Sequence, residues 1–163
     1  TAALFLVLGF LVKRRGSAQV DAFGGVQKTA PVLAGMFLFA GLATMSLPGI
    51  SNFIGEFMVL AGAWSRHPVY VAVATLGMVL GAVYILLTYK RTMTGPLTQA
   101  TKAHVTTDLT GLEKAALTPL VILLLVFGFF PRPMLHVIEP VAHQTMSIVG
   151  VTDPAPAAEE GVK

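Results

Sequence analysis

The chain has 163 residues, 55% of them hydrophobic and only 12% charged, with a mean hydropathy of +0.76. A soluble domain carries about 25% charged residues, so this composition cannot cover the surface of a water-soluble globule, and it equally excludes a disordered chain and a nucleic-acid-binding domain. The formal charge of +3 therefore says little about an acidic partner: between Val32 and Tyr89 the only Lys, Arg, Asp or Glu are Glu56 and Arg66, the pattern of an integral membrane protein.

The first apolar run reaches Val12 and stops at Lys13-Arg14-Arg15. Twelve helical residues cover about 18 Å of a hydrocarbon core roughly 30 Å thick. The basic residues follow the run, whereas a signal peptide places them before it. Residues 1–15 are therefore read as the end of a helix in a longer polytopic protein. A polar connector, Gly16 to Thr29, carries the loop signal Gly24-Gly25.

Residues 31–66 form the next apolar region, opened by Pro31 and interrupted at Ser46-Leu47-Pro48-Gly49-Ile50-Ser51-Asn52. As one straight helix it would measure about 54 Å, too long for one span. It is either one span broken in the middle or a hairpin of two short helices. A helix over 69–90 follows, ending at Lys90-Arg91, and a last helix over 111–130 opens with Thr110 and Glu113 at capping-box spacing. Residues 1–151 are thus read as a transmembrane bundle and the Ala/Pro/Glu-rich tail, 152–163, as disordered.

Loop charge decides between the two arrangements. Lys13-Arg14-Arg15 and Lys90-Arg91 directly abut apolar runs, and the positive-inside rule puts both on the cytoplasmic side. One broken span over 31–66 followed by one span over 69–90 returns the chain to its starting side, whereas a hairpin separates the clusters. The broken span is preferred, and it leaves the C-terminus outside.

Pro48 removes a backbone donor and Gly49 permits unusual dihedrals, while Ser46, Ser51 and Asn52 can bond the groups a break sets free. Non-helical backbone at membrane depth needs protein or a water-filled cavity around it, and such broken helices recur at ion and substrate sites of transporters. A kink serving only packing would use the same Pro-Gly pair. Glu56, four residues after Asn52, shifts the balance towards function: a charge at mid-membrane costs about 2.5–3.5 kcal/mol on insertion scales. Removing a carboxylate from water penalises its charged form, which is the property a proton relay exploits. The competing reading is a Glu near the end of its span, snorkelling to the interface. The Gly77-x-x-x-Gly81 pair is read as a close helix-packing face, Tyr84 as an interfacial aromatic or part of a polar chain, and His136 and His143 as solvent-side residues. The sequence has no cysteine, no metal-ligand spacing of its four histidines, no phosphate loop and no catalytic triad.

The run Phe23-Gly24-Gly25, Pro31 and Leu47-Pro48-Gly49-Ile50-Ser51-Asn52-Phe53-Ile54-Gly55-Glu56-Phe57 resembles the antiporter-like membrane subunits of proton-pumping NADH–quinone oxidoreductase, respiratory complex I. The likeness covers residues 1 to about 140 and is greatest to the M-type subunit, because its sister subunits carry Lys where this sequence has Glu56. The resemblance implies an all-α polytopic membrane bundle of antiporter-like fold with one discontinuous helix, residues 31–66, and Glu56 as proton-relay residue. It implies no cofactor in this chain, with NADH, FMN, iron–sulfur clusters and quinone bound by partner subunits. It further implies sister antiporter-like subunits and lipid as partners, protons as the transported ion, and a multi-pass location in the bacterial plasma membrane. The chain is then the ion-moving part of a translocase. A subunit of a cation/proton antiporter or membrane-bound hydrogenase, and a structural subunit in which Glu56 is inert, are the alternatives.

Overall fold

The computed structural model describes residues 1–150; the tail read as disordered lies outside the described residues. All regular structure among them is helical. The chain divides into two compact units, Thr1–Phe129 and the residues from Phe130 onward.

In the first unit, α1 (Ala2–Arg15) ends on Gly16 in the left-handed region, φ 72°, a conformation that suits glycine. The connector after it is not plain loop but two short 3-10 turns, Val20–Ala22 and Val26–Lys28. Then come α2 (Pro31–Thr44), with proline in its first turn, and α3 (Ser51–Trp64). The long apolar α4 (Pro68–Met93) leads through the short α5 (Gln99–His104) to α6 (Gly111–Phe129), which carries Pro119 in its interior. By length and hydropathy α4 and α6 can each cross a membrane. Their surfaces are largely open to whatever surrounds the unit: only 11% of the most apolar stretch of α4 and 6% of that of α6 is buried. The protein is an integral membrane protein of helix-bundle type.

The buried core sits at one end of this unit. Val7 and Leu11 of α1, Phe23 and Val26 of the connector, Leu33 and Phe37 of α2, Met93 of α4, Val105, Leu109 and Leu117 form one cluster. Two backbone hydrogen bonds stitch the connector to the segment after α4: Gly25 N–H donates to Thr94 O at 3.0 Å and Thr98 N–H to Gly24 O at 3.5 Å. The fit is tight, since a Cβ on Gly25 would lie 2.8 Å from the Leu97 backbone. The segments that follow Lys13-Arg14-Arg15 and Lys90-Arg91 are therefore neighbours, and both basic clusters lie at the same end.

A charged junction closes this end. Arg14 does not stay in solvent beside the exposed Lys13; its side chain is 9% exposed. It donates to Phe10 O, Thr107 O and Asp108 O, each at 3.0 Å, and pairs through both outer nitrogens with the carboxylate of Glu113. Glu113 also accepts Thr110 N–H at 2.8 Å while Thr110 Oγ1 accepts Glu113 N–H at 3.4 Å, the reciprocal capping box at the start of α6. Asp108 completes the junction: its two carboxylate oxygens accept the otherwise free N–H groups of Val32 and Leu33, at 2.8 and 2.9 Å, at the start of α2.

The second unit holds α7 (Arg132–Val149), a helix that the sequence analysis did not place. Proline is tolerated in a first helical turn, and Pro140 sits within the helix. Arg132, His136, Glu139, His143 and Ser147 recur every three or four residues on one face, opposite Val137, Ile138, Val141 and Ile148. The His136–Glu139 pair at 3.7 Å is well exposed and contributes little.

Candidate functional site: the helix break and Glu56

The site is built from the six residues between α2 and α3. Leaving α2, Met45 N–H donates to Gly41 O at 3.0 Å, Leu47 N–H to Leu42 O at 3.2 Å and Ser46 N–H to Ala43 O at 3.4 Å, the last two closing the helix as a Schellman cap with Ser46 in the left-handed position. The helical donor for Thr44 O would be residue 48, and a proline has no N–H to give. Gly49 then takes φ 94°, and Ile50 enters α3 in extended conformation. Asn52 reaches back across the break, its amide donating to Ala43 O at 2.9 Å. Of the three polar residues expected to satisfy the break, Asn52 does so by its side chain. Ser46 does not: its Oγ is buried with no hydrogen-bond partner, and its backbone stands at φ 55°, unusual for a residue with a Cβ.

Helix α6 backs the break from behind. Its penultimate residue, Gly128, approaches so closely that a Cβ there would fall 2.2 Å from Gly49 O and 2.7 Å from Ile50 Cα. Helix α3 packs against α6 and α4 more extensively than against α2, so it is not folded back along α2 as a hairpin partner. On the other side α2 meets α4, where a Cβ on Gly41 would come within 2.7 Å of Ile85 Cγ2.

Glu56 lies on α3, in the turn after the one that starts at the break. Its side chain is exposed and faces a groove of about 510 Å³, lined by Thr44 and Met45 from the break, Gly55, Glu56, Val59 and Leu60 from α3, and Ala74, Gly77, Met78 and Gly81 from α4. Within this chain Glu56 is open, not enclosed by neighbouring helices. The reason is the composition of the wall. A Cβ on Gly55, Gly77 or Gly81 would meet nothing within 4 Å, so three side chains that would narrow the groove are missing. Among the described residues nothing comes within 4 Å of a Cβ at Gly77 or Gly81, so these two glycines shape the groove instead of a close helix contact. Among the described residues no ion pair includes Glu56, and no group of His, Asp or Glu is placed to hold a metal ion. Tyr84 is exposed and outside the groove, and His136 and His143 belong to the second unit. Chemically, the arrangement offers one carboxylate beside a helix break, on an open, mostly apolar wall.

Residues 1–81 match the family described as NADH:quinone oxidoreductase/Mrp antiporter, TM. Subunit M of NADH-quinone oxidoreductase from Mycobacterium tuberculosis (strain ATCC 25618 / H37Rv) is 46% identical over 162 residues, which is 99% of this chain and 29% of that protein. The chain belongs to this membrane-subunit family. The family likeness extends to subunit M of Rickettsia felis, 39% identical over 84% of this chain and 28% of the relative. It also reaches NADH-ubiquinone oxidoreductase chain 4 of Arabidopsis thaliana, 39% identical over 83% of this chain and 27% of the relative. The chain thus spans under a third of the length of the curated family members it matches, and the helix break and Glu56 both fall within the family match.

Proposed function

We propose that this chain is part of a proton-translocating membrane subunit of NADH–quinone oxidoreductase and that Glu56 is its relay carboxylate. The observation that carries the reading is the position of Glu56, one turn beyond a proline–glycine helix break, on a groove that glycines leave open. A carboxylate in such a groove carries one proton per cycle by alternating between neutral and charged forms. Pro48 offers no N–H to Thr44 O, so the break leaves a carbonyl at which water can be oriented, and the glycine wall leaves room for it or for a neighbouring helix. Quinone reduction, with its NADH, FMN and iron–sulfur chemistry, belongs to other subunits; coupling reaches this chain through its neighbours. Lys13, Arg15, Lys90 and Arg91 at one end of the bundle mark that end as cytoplasmic under the positive-inside rule, with the C-terminus on the outer side of a bacterial plasma membrane. A subunit of a cation/proton antiporter is the second reading, favoured by the family's breadth, which includes Mrp antiporters.

The test is proton pumping by inverted membrane vesicles supplied with NADH, with the full-length chain assembled in its complex. Glu56→Gln is expected to abolish or strongly reduce pumping while a native gel shows the complex intact. Undiminished pumping would make Glu56 a structural residue and remove the relay from this chain.

A further inference from the structure

We propose that α6 is a strut that sets the geometry of the helix break, and that Arg14 and Glu113 are positioning residues for Glu56 through it. Helix α6 is fixed at two points. At its start Glu113 is clamped by the enclosed Arg14 guanidinium, which simultaneously binds the last turn of α1 through Phe10 O and the 107–108 backbone. The side chain of Asp108 holds the first turn of α2 through Val32 and Leu33 N–H. The starts of α2 and α6 are therefore locked to each other. Near the far end of α6 the Gly128 backbone rests on Gly49, in van der Waals contact that leaves no room for a methyl group.

Those two fixed points define a span. From Glu113 to Gly128 the helix rises about 22 Å, while α2 from Val32 to Thr44 rises only about 18 Å. The residues from Met45 to Gly49 link the end of α2 to the contact at Gly128. They do so with two left-handed residues, Ser46 at φ 55° and Gly49 at φ 94°; the first closes α2 as a left-handed cap, with Leu47 N–H on Leu42 O and Ser46 N–H on Ala43 O, and the second is the residue that meets Gly128. The frame therefore bears on the break at Gly49, whose left-handed backbone lies against Gly128. Thr44 and Met45, at the mouth of the break, also form the wall of the groove that Glu56 faces. A clamp at one end of the bundle therefore shapes the relay site through one rigid helix. A topology anchor would behave differently: it would stay solvated, as Lys13 does, instead of making five hydrogen bonds.

This inference rests on Glu56 as the relay, and the experiment keeps the two separable. The full-length chain in its assembled complex carries Glu113→Gln, which retains an oxygen for the Thr110 cap but loses the ion pair, with Lys13→Gln as the charge control and Glu56→Gln as the relay control. Two quantities are read: protons pumped per NADH oxidised, and hydrogen–deuterium exchange of the amides from Met45 to Phe53. In Glu113→Gln, exchange across the break is expected to rise by about tenfold and protons per NADH to fall, while Lys13→Gln changes neither. Faster exchange confined to residues 29–34 and 105–113, with break amides and pumping ratio unchanged, would show a merely local clamp and overturn the strut. Should Glu56→Gln pump normally, the relay reading fails, and exchange at the break alone decides the strut. Should Glu113→Gln fail to assemble, Gly128→Ala perturbs the other fixed point; break amides unaltered by it overturn the proposal, and faster exchange there supports it.

Discussion

Replacing Gly128 by alanine tests the contact on which the break rests. A Cβ there would sit 2.2 Å from Gly49 O and 2.7 Å from Gly49 C and Ile50 Cα, all backbone atoms that have no rotamer to escape into. Reaching ordinary contact means moving the break or the end of α6 by roughly 1 Å, and overpacking of this kind costs about 1–3 kcal/mol. Against it stands the helix preference of Ala over Gly, worth up to about 1 kcal/mol. The clash wins because backbone on both sides puts it at the upper end of its range, leaving a net loss of about 1–2 kcal/mol. Gly9→Ala is the matched control, since a Cβ at that position in α1 meets nothing within 4 Å. Unfolding of the purified full-length chain in mixed micelles, titrated with a denaturing detergent, reads both variants. Gly128→Ala should unfold earlier than the parent and Gly9→Ala no earlier. If Gly128→Ala proves as stable as Gly9→Ala, α6 does not buttress the break and the framing argument fails.

Two further substitutions probe the same frame by the same unfolding titration. Ser46→Gly removes a left-handed residue costing about 1–2 kcal/mol and a buried, unpartnered hydroxyl, against a glycine entropy cost of about 0.5–1 kcal/mol; a stability gain of about 1 kcal/mol is expected, and a loss would mean that Ser46 Oγ has a partner in the assembled protein. Asp108→Ala deprives Val32 and Leu33 N–H of their acceptors and should cost about 1–2 kcal/mol, with Asp108→Asn costing appreciably less because an amide oxygen still caps; equal losses in the two variants would show that charge, not the hydrogen bonds, holds the start of α2.

Which properties were legible in the sequence follows from the range of the interactions involved. Membrane residence, the helices around residues 2–15, 31–44, 51–64, 68–93 and 111–129, the break at Pro48-Gly49 and the capping box of Thr110 and Glu113 all depend on residues within a few positions of each other. Hydropathy, proline's missing N–H and cap chemistry act locally, so a linear reading contains them. Helix α7 was also locally encoded, in the three-to-four-residue recurrence of Arg132, His136, Glu139, His143 and Ser147, a periodicity the sequence analysis did not apply beyond residue 130.

Three features required the tertiary structure. Arg14 meets Glu113 across 99 positions of sequence, and Asp108 caps the N–H of Val32, 76 positions earlier; nothing local to Arg14 distinguishes it from the solvated Lys13 beside it. The approach of Gly128 to Gly49 depends on how α6 lies against the break, and a glycine in a sequence states permission, not use. The openness of Glu56 depends on α4 placing Gly77 and Gly81 opposite it, so that a motif legible as helix packing becomes the wall of a groove. Local chemistry determines which helices form and where one must break; packing over long sequence separations decides which charges are enclosed, which glycines are needed and what the carboxylate faces.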